Sequence, residues 1–257
     1  MKLKDIEKLG KADLHIHSTY SDGRNSIEEI LYYVENNTNL DVIAICDHNQ
    51  IAGAKIAQQL AKVKNMRFEV IVGEEITSSE GHIIGLFLKD NIRSGLPAKE
   101  VLKDIKSQGG IAVAPHPFFH TKFRSSDLER MDGVGVTTLI NLRKYFDAVE
   151  VVNASPGMSS ENLRAGILNN TILLKAETGS SDAHMLEAIG KSYTLFEGKT
   201  ASDLKREILQ GQTKAGKKKW SFFGILRYGF FLLPRGLRIF LYTLFHGGAK
   251  DKFEIYK

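Results

Sequence analysis

The chain has 257 residues but only one cysteine, Cys46, which excludes an intrachain disulfide and any thiolate-bound metal cluster. Cys46 lies in the apolar run DVIAIC and is expected to be a small core residue. The opening MKLKDIEKLGKADLHIH lacks an apolar stretch of secretory length, so the main body of the chain is expected to be cytoplasmic. A clean membrane span is missing too, because the most apolar stretch, WSFFGILRYGFFLLPRGLRIFLYTLF, is broken by Arg227, Pro234, Arg235 and Arg238. Internal repeats and low-complexity segments are absent. So are acidic residues between Ile208 and Lys250, a stretch that holds eight Lys and Arg.

That last absence splits the chain. Residues 208–257 carry ten Lys and Arg against Asp251 and Glu254, a balance of +8, so the net +5 of the whole chain leaves residues 1–207 at −3. The composition changes around Gly211–Lys219, which reads as a linker. Residues 1–211 are therefore assigned to one globular domain and residues 212–257 to a basic, amphipathic C-terminal segment. Basic residues interleaved with aromatics suit a segment lying on an anionic membrane surface through residues 214–246, peripheral on the inner face. Packing on the domain or on a second subunit, and a grip on single-stranded nucleic acid, are the alternatives.

Within the first 211 residues, short β-branched runs alternate with helical patterns. The runs are ADLHIH, DVIAICDH, FEVIVGEEI, HIIGLFL, GIAVAPH, AVEVVN and TILLKAE. Between most of them lie stretches such as SIEEILYYVENN, GAKIAQQLAKVK, PAKEVLKDIKSQ and SSENLRAGILNN, with ASDLKREILQG after the last. Ser26 with Glu29 fits a capping box, and Ser159 with Asn162 sits where another helix start is expected. Runs this apolar suit a parallel sheet covered by helices, so the fold class is α/β, as an open sheet or a barrel.

Histidines and carboxylates gather at the ends of these runs. His15 and His17 share one strand face, and Asp22 follows in the next loop. His48 closes the second run, Glu75 lies in VGEEI, His82 begins GHIIGL and His116 ends GIAVAPH. Asp182 and His184 repeat the two-residue spacing in GSSDAH. The exit ends of parallel strands are where β/α barrels build their sites. Six imidazoles and three carboxylates exceed what one ion needs and suit two or three divalent ions such as Mn, Zn or Fe. Three such ions against three carboxylates leave a surplus near +3, which favours a phosphate over a neutral amide.

The segments DLHIHSTYSDG, AICDHN, VGEEI, GHIIGL, APHP and GSSDAH resemble, in order, those of the PHP (polymerase and histidinol phosphatase) family. The resemblance spans about Lys11 to Gly211. It implies a distorted (β/α)7 barrel and a trinuclear metal centre held by His15, His17, Asp22, His48, Glu75, His82, His116, Asp182 and His184. Glu75 is preferred to Glu74 because the family's acid directly precedes an apolar residue. The resemblance is strongest to the small exonuclease and nucleotide-phosphatase branch. It implies hydrolysis of phosphate esters of nucleotides or short oligonucleotides, as a 5′–3′ exonuclease or a 3′,5′-bisphosphate nucleotide phosphatase. A small-molecule phosphomonoesterase of the histidinol-phosphate or sugar-phosphate type, or a noncatalytic membrane-recruited scaffold, are the other readings.

Five further residues are candidates. Asp47 could relay a proton or support the ligands, or could cap a strand end. His120 could protonate the leaving group or sit in solvent. Lys122 and Arg124 could bind substrate phosphate. Asn153 could line the site or hold a turn.

Overall fold

A computed structural model describes residues 9–119 and 133–230 of the chain. The strands are β1 (Gly10–Ile16), β2 (Val42–Ile45), β3 (Glu69–Ser78), β4 (Gly81–Leu86), β5 (Ile111–Ala114), β6 (Ala148–Asn153), β7 (Ala176–Ser180), β8 (Ser192–Phe196) and β9 (Lys214–Lys217). The α-helices are α1 (Ile27–Asn37), α2 (Ala52–Val63), α3 (Ala98–Ser107), α4 (Gly135–Asn141), α5 (Ser159–Leu168) and α6 (Ala201–Leu209), followed by a helix described over residues 222–230.

The sheet runs β7-β6-β5-β4-β3-β2-β1-β8-β9. Strands β1, β2 and β3 are mutually parallel, as are β5, β6 and β7, while β4 is antiparallel to both of its neighbours. The two ends approach each other where the chain leaving β7 meets β1. His17 N–H donates to Ala183 O at 2.9 Å, and Ala183 N–H to His15 O at 3.1 Å. Seven strands thus form a nearly closed barrel. Lower down, where β1 and β7 diverge, β8 fills the gap. It pairs antiparallel with β1, and Thr194 Oγ1 bonds both Gly179 N and Gly179 O. Gly179 is required there, because a Cβ would come within 2.6 Å of Tyr193 O.

Alternation along each strand separates two cores. Ala12, Leu14, Val42, Ala44, Ile71, Ile84, Val113 and Ala148 fill the barrel interior, and Leu204 and Ile208 of α6 belong to the same cluster. Ile43, Ile45, Val70 and Val72 face outward against the helices. Strand β1 breaks the alternation with a bulge between Asp13 and Ile16. The extra residue lets Leu14 join the interior floor while His15 and His17, above it, face the mouth.

Several sequence expectations hold and several do not. The Ser26–Glu29 capping box starts α1, and Cys46 is buried in the barrel interior. TILLKAE is not a strand: Asn169–Leu173 form a π-helical turn continuing α5, and β7 begins at Ala176. No Ser159 side-chain cap starts α5. Asn162 instead bridges back to the Asn153 backbone, which ties the helix to the end of β6. The expected linker at Gly211–Lys219 contains β9, paired with β8 as an edge strand. Its exposed Lys214 and Lys217 are what an edge needs to resist further pairing, and a sequence reading mistakes them for linker composition. No helix separates β3 from β4, which form a hairpin.

Candidate metal centre

The hairpin explains how His82 joins a rim built from strand exits. Because β4 runs against its neighbours, its first residues lie beside the last residues of β3, and Thr77 pairs with His82. Gly81 makes the turn at φ +140°, and a Cβ there would strike Gly133 at 2.6 Å. His116 and Asp182 also have positive φ, 27° and 50°, so the backbone bends sharply where each ligand candidate leaves its strand.

All nine predicted ligands converge. Glu75 lies at the centre: Oε2 is 3.3 Å from His15 Nε2, His17 Nε2 and His48 Nδ1. Its Oε1 is 2.9 Å from His82 Nδ1 and 3.0 Å from His116 Nε2. Asp182 Oδ1 lies 3.4 Å from His17 Nε2 and 3.6 Å from both His15 Nε2 and His184 Nδ1. Asp22 Oδ1 reaches His184 Nε2 at 3.1 Å and His17 Nδ1 at 3.7 Å. Glu74 points to the opposite face and accepts the Ile92 N–H at 3.0 Å, as strand alternation requires.

Among the described residues, four overlapping groups could each hold a metal ion: His17–Asp22–His48–His184, His15–Glu75–His116, His15–His17–Asp182 and His48–Glu75–His82. Donor chemistry and satisfaction both fit that role. His15 Nε2 and both nitrogens of His17 are buried with no hydrogen-bond partner among the described residues. Leaving three such atoms unsatisfied is expensive unless a cation completes them.

Electrostatics agree. Burial alone would raise the carboxyl pKa of Glu75, Asp22 and Asp182, but the surrounding imidazoles hold all three well below the ordinary range. Burial pulls His17 down, yet Asp182, Glu75 and Asp22 outweigh it and leave the ring pushed up to about 10. For His48 burial prevails, and its pKa falls to about 3. Neighbouring rings are thus driven in opposite directions because at His48 burial, with repulsion from the His17 and His82 rings, outweighs the pull of Glu75 and Asp22.

The remaining candidates fall differently. Asp47 turns to the loop after β1, accepting Ser18 N–H at 2.8 Å, Ser18 Oγ–H at 2.7 Å and Ser21 Oγ–H at 2.7 Å. It caps that loop and so fixes the approach of Asp22. Asn153 donates through Nδ2 to Glu150 at 3.0 Å and to Asp182 at 3.3 Å, holding carboxylates from behind. His120, Lys122 and Arg124 lie outside the described residues.

Sequence reasoning missed Glu150. It is buried on the inner face of β6, with Oε1 3.3 Å from His15 Nδ1 and Oε2 accepting the His116 N–H at 2.8 Å. A charged residue at an inward position of the otherwise apolar AVEVV was the available signal. Asn49, beside His48, grips β3 through Thr77, accepting its N–H at 2.8 Å and donating to its Oγ1 at 3.1 Å.

Fold and site together define an α/β barrel with a buried histidine–carboxylate cluster at its mouth. Residues 161–213 match the model of the PHP-associated family. An uncharacterized protein of Methanocaldococcus jannaschii, MJ1587, is 38% identical over 175 residues, 64% of this chain and 90% of that protein. A 5′–3′ exoribonuclease of Haemophilus influenzae is 43% identical over 82 residues, 30% of this chain and only 28% of that enzyme. Among solved structures, a two-domain protein from Bacteroides vulgatus containing a predicted PHP-like metal-dependent phosphoesterase superposes with a TM-score of 0.63. It is 20% identical, over 86% of this chain and 69% of that one. Endonuclease Q in complex with a duplex carrying an abasic lesion superposes with a TM-score of 0.51 at 14% identity, over 80% of this chain and 58% of that one. The chain belongs to the PHP family.

Proposed function

We propose that the chain is a metal-dependent phosphoester hydrolase acting on nucleotides or short oligonucleotides. The observation that carries this reading is the convergence of six imidazoles on Glu75, Asp22 and Asp182, with buried nitrogens lacking partners. Bound divalent ions would supply Lewis acidity and lower the pKa of a water at that site. His15, His17, Asp22, His48, Glu75, His82, His116, Asp182 and His184 would hold two or three of them. Glu150 adds a fourth carboxylate beside the cluster, so three divalent ions would leave a surplus near +2 rather than +3. A phosphate dianion matches that surplus, and a neutral amide does not.

Around this core the chain's own residues orient and exclude. The carbonyl of Asp182 lies 3.0 Å from His184 Nδ1 and can only accept, so that nitrogen carries the proton and Nε2 faces Asp22. Glu150 sets His15 in the same manner, leaving Nε2 directed to Glu75. Asp47 keeps the Ser18–Asp22 loop closed over the cluster. His120 is assigned as the proton donor to the leaving oxygen, with Lys122 and Arg124 gripping the substrate phosphate. The 43% identity to the exoribonuclease supports a nucleotide substrate over other monoesters.

The test is a substrate panel on chelator-stripped protein reloaded separately with Mn, Zn or Fe. It should include 3′,5′-bisphosphate nucleotides, 5′-phosphorylated short oligonucleotides, histidinol phosphate and sugar phosphates. Turnover of the first two classes that vanishes on stripping and returns on reloading is expected. Preference for the last two would replace the nucleotide reading with a monoesterase, and hydrolysis indifferent to metal would overturn the proposal altogether.

A further inference from the structure

The described end of the chain leaves an apolar helix face uncovered beside a group of cations. The helix at residues 222–230 is fastened to the barrel by its other side. Trp220 Nε1–H donates to Ala154 O at 2.8 Å, and Tyr228 OH to Ser155 Oγ at 3.3 Å. The two rings meet edge to face at 5.5 Å, and Arg227 pairs with Glu187 at 2.6 Å. Turned away from these anchors are Phe222, Phe223, Leu226 and Phe230, which share a stripe at helical spacing. Phe222, Phe223 and Phe230 are 71%, 76% and 70% exposed. Three large aromatics on one open stripe mark a contact surface rather than scattered surface apolarity.

Charge selects the partner. Between Gly211 and Phe230 the chain carries no acidic residue, and although Lys214 pairs with Glu177 and Arg227 with Glu187, the exposed Lys217, Lys218 and Lys219 follow one another directly before Trp220. Lys11 and Lys191 stand near Lys218, and Lys191 covers the Trp220 ring at 5.7 Å. A second copy laid face to face would set these cations against one another. A nucleic acid would satisfy the cations and could stack on the three phenylalanines, but it would leave the exposed aliphatic Ile225 and Leu226 beside them without an apolar partner. An anionic bilayer satisfies both features, with headgroups for the lysines and the acyl boundary for the aromatics. No helix among the described residues is long and apolar enough to cross a membrane, so the contact would lie along the surface.

We propose that residues 214–230 form a docking surface for an anionic phospholipid bilayer. Ala154 and Ser155 follow directly on Asn153, so the same anchors hold one rim of the metal centre beside the membrane.

The test is co-sedimentation of the full chain with vesicles of equimolar phosphatidylcholine and phosphatidylglycerol, and with phosphatidylcholine alone. Binding to the anionic vesicles, weakened by salt and absent on neutral ones, is expected. The triple variant K217Q/K218Q/K219Q should bind at least tenfold more weakly, each lysine near the surface contributing about fivefold. The variant F222S/F223S/F230S should lose vesicle binding while keeping its circular dichroism and melting temperature, since these side chains are largely exposed. Equal binding to neutral vesicles, unchanged binding by either variant, or a stable dimer that stays in the supernatant would each overturn the proposal.

Discussion

Glu150 Oε1 lies 3.3 Å from His15 Nδ1, and both side chains are buried. The contact fixes which nitrogen of His15 keeps its proton and therefore which lone pair faces Glu75. Carboxylates in this position typically sustain metal affinity by about 10- to 100-fold. Glu150→Gln should lower affinity by that order, read by competition with a chromophoric chelator, while circular dichroism stays unchanged. Unaltered affinity would reduce Glu150 to a packing residue.

Asp47 accepts three hydrogen bonds from the loop that carries Asp22. Removing a buried acceptor leaves its donors without partners, at about 1–3 kcal/mol each. Asp47→Ala should therefore destabilise the protein by about 3 kcal/mol or more in denaturant unfolding. If Asp47 were instead the proton relay, the variant would lose turnover with little loss of stability. The two measurements separate positioning from chemistry.

These two carboxylates show where sequence was informative. The convergence of the nine ligand candidates was legible because most sit at strand exits, where spacing along the chain translates directly into direction in space, while Asp22 lies in the loop after β1 and His82 opens β4. Glu150 and the anchoring role of Asp47 were not, since both depend on what a neighbouring strand or loop brings to them. The inverted β4 was hidden for a similar reason: nothing in GHIIGL reports which way the strand runs. Strand β7 was misplaced because TILLK is as β-branched as a strand, and tertiary context overrode local preference. In β8 and β9 the polar Ser192, Thr194 and lysines concealed strands whose place is set by the gap between β1 and β7.

Glu75 touches five imidazoles, more than any other side chain of the cluster. Glu75→Gln removes the charge those rings surround but keeps the shape. It should bring hydrolysis down to that of metal-stripped wild type and reduce the bound metal content. His17→Ala and Asp182→Ala should do the same with the fold retained. Wild-type turnover in any of the three, with metal supplied, would contradict the ligand assignment.

Glu74 gives a pH dependence independent of activity. Burial raises its carboxyl from the ordinary 4.5 to about 7, the single hydrogen bond from Ile92 opposing but not cancelling this. The folded protein therefore holds a proton that the unfolded chain has already released. Stability from this group is complete below pH 4.5 and is lost as pH rises to about 7. At about 1.4 kcal/mol per pH unit, that interval amounts to about 3 kcal/mol. Gln at this position cannot ionise, so any penalty from its amide is constant with pH. Wild type should thus lose stability relative to Glu74→Gln by about 3 kcal/mol between pH 4.5 and pH 7, and no more above. Denaturant unfolding of both proteins at matched pH reads this directly, because titration of the metal-centre histidines cancels in the difference. A gap that stays constant across the range would mean that Glu74 ionises in the fold as it does in water.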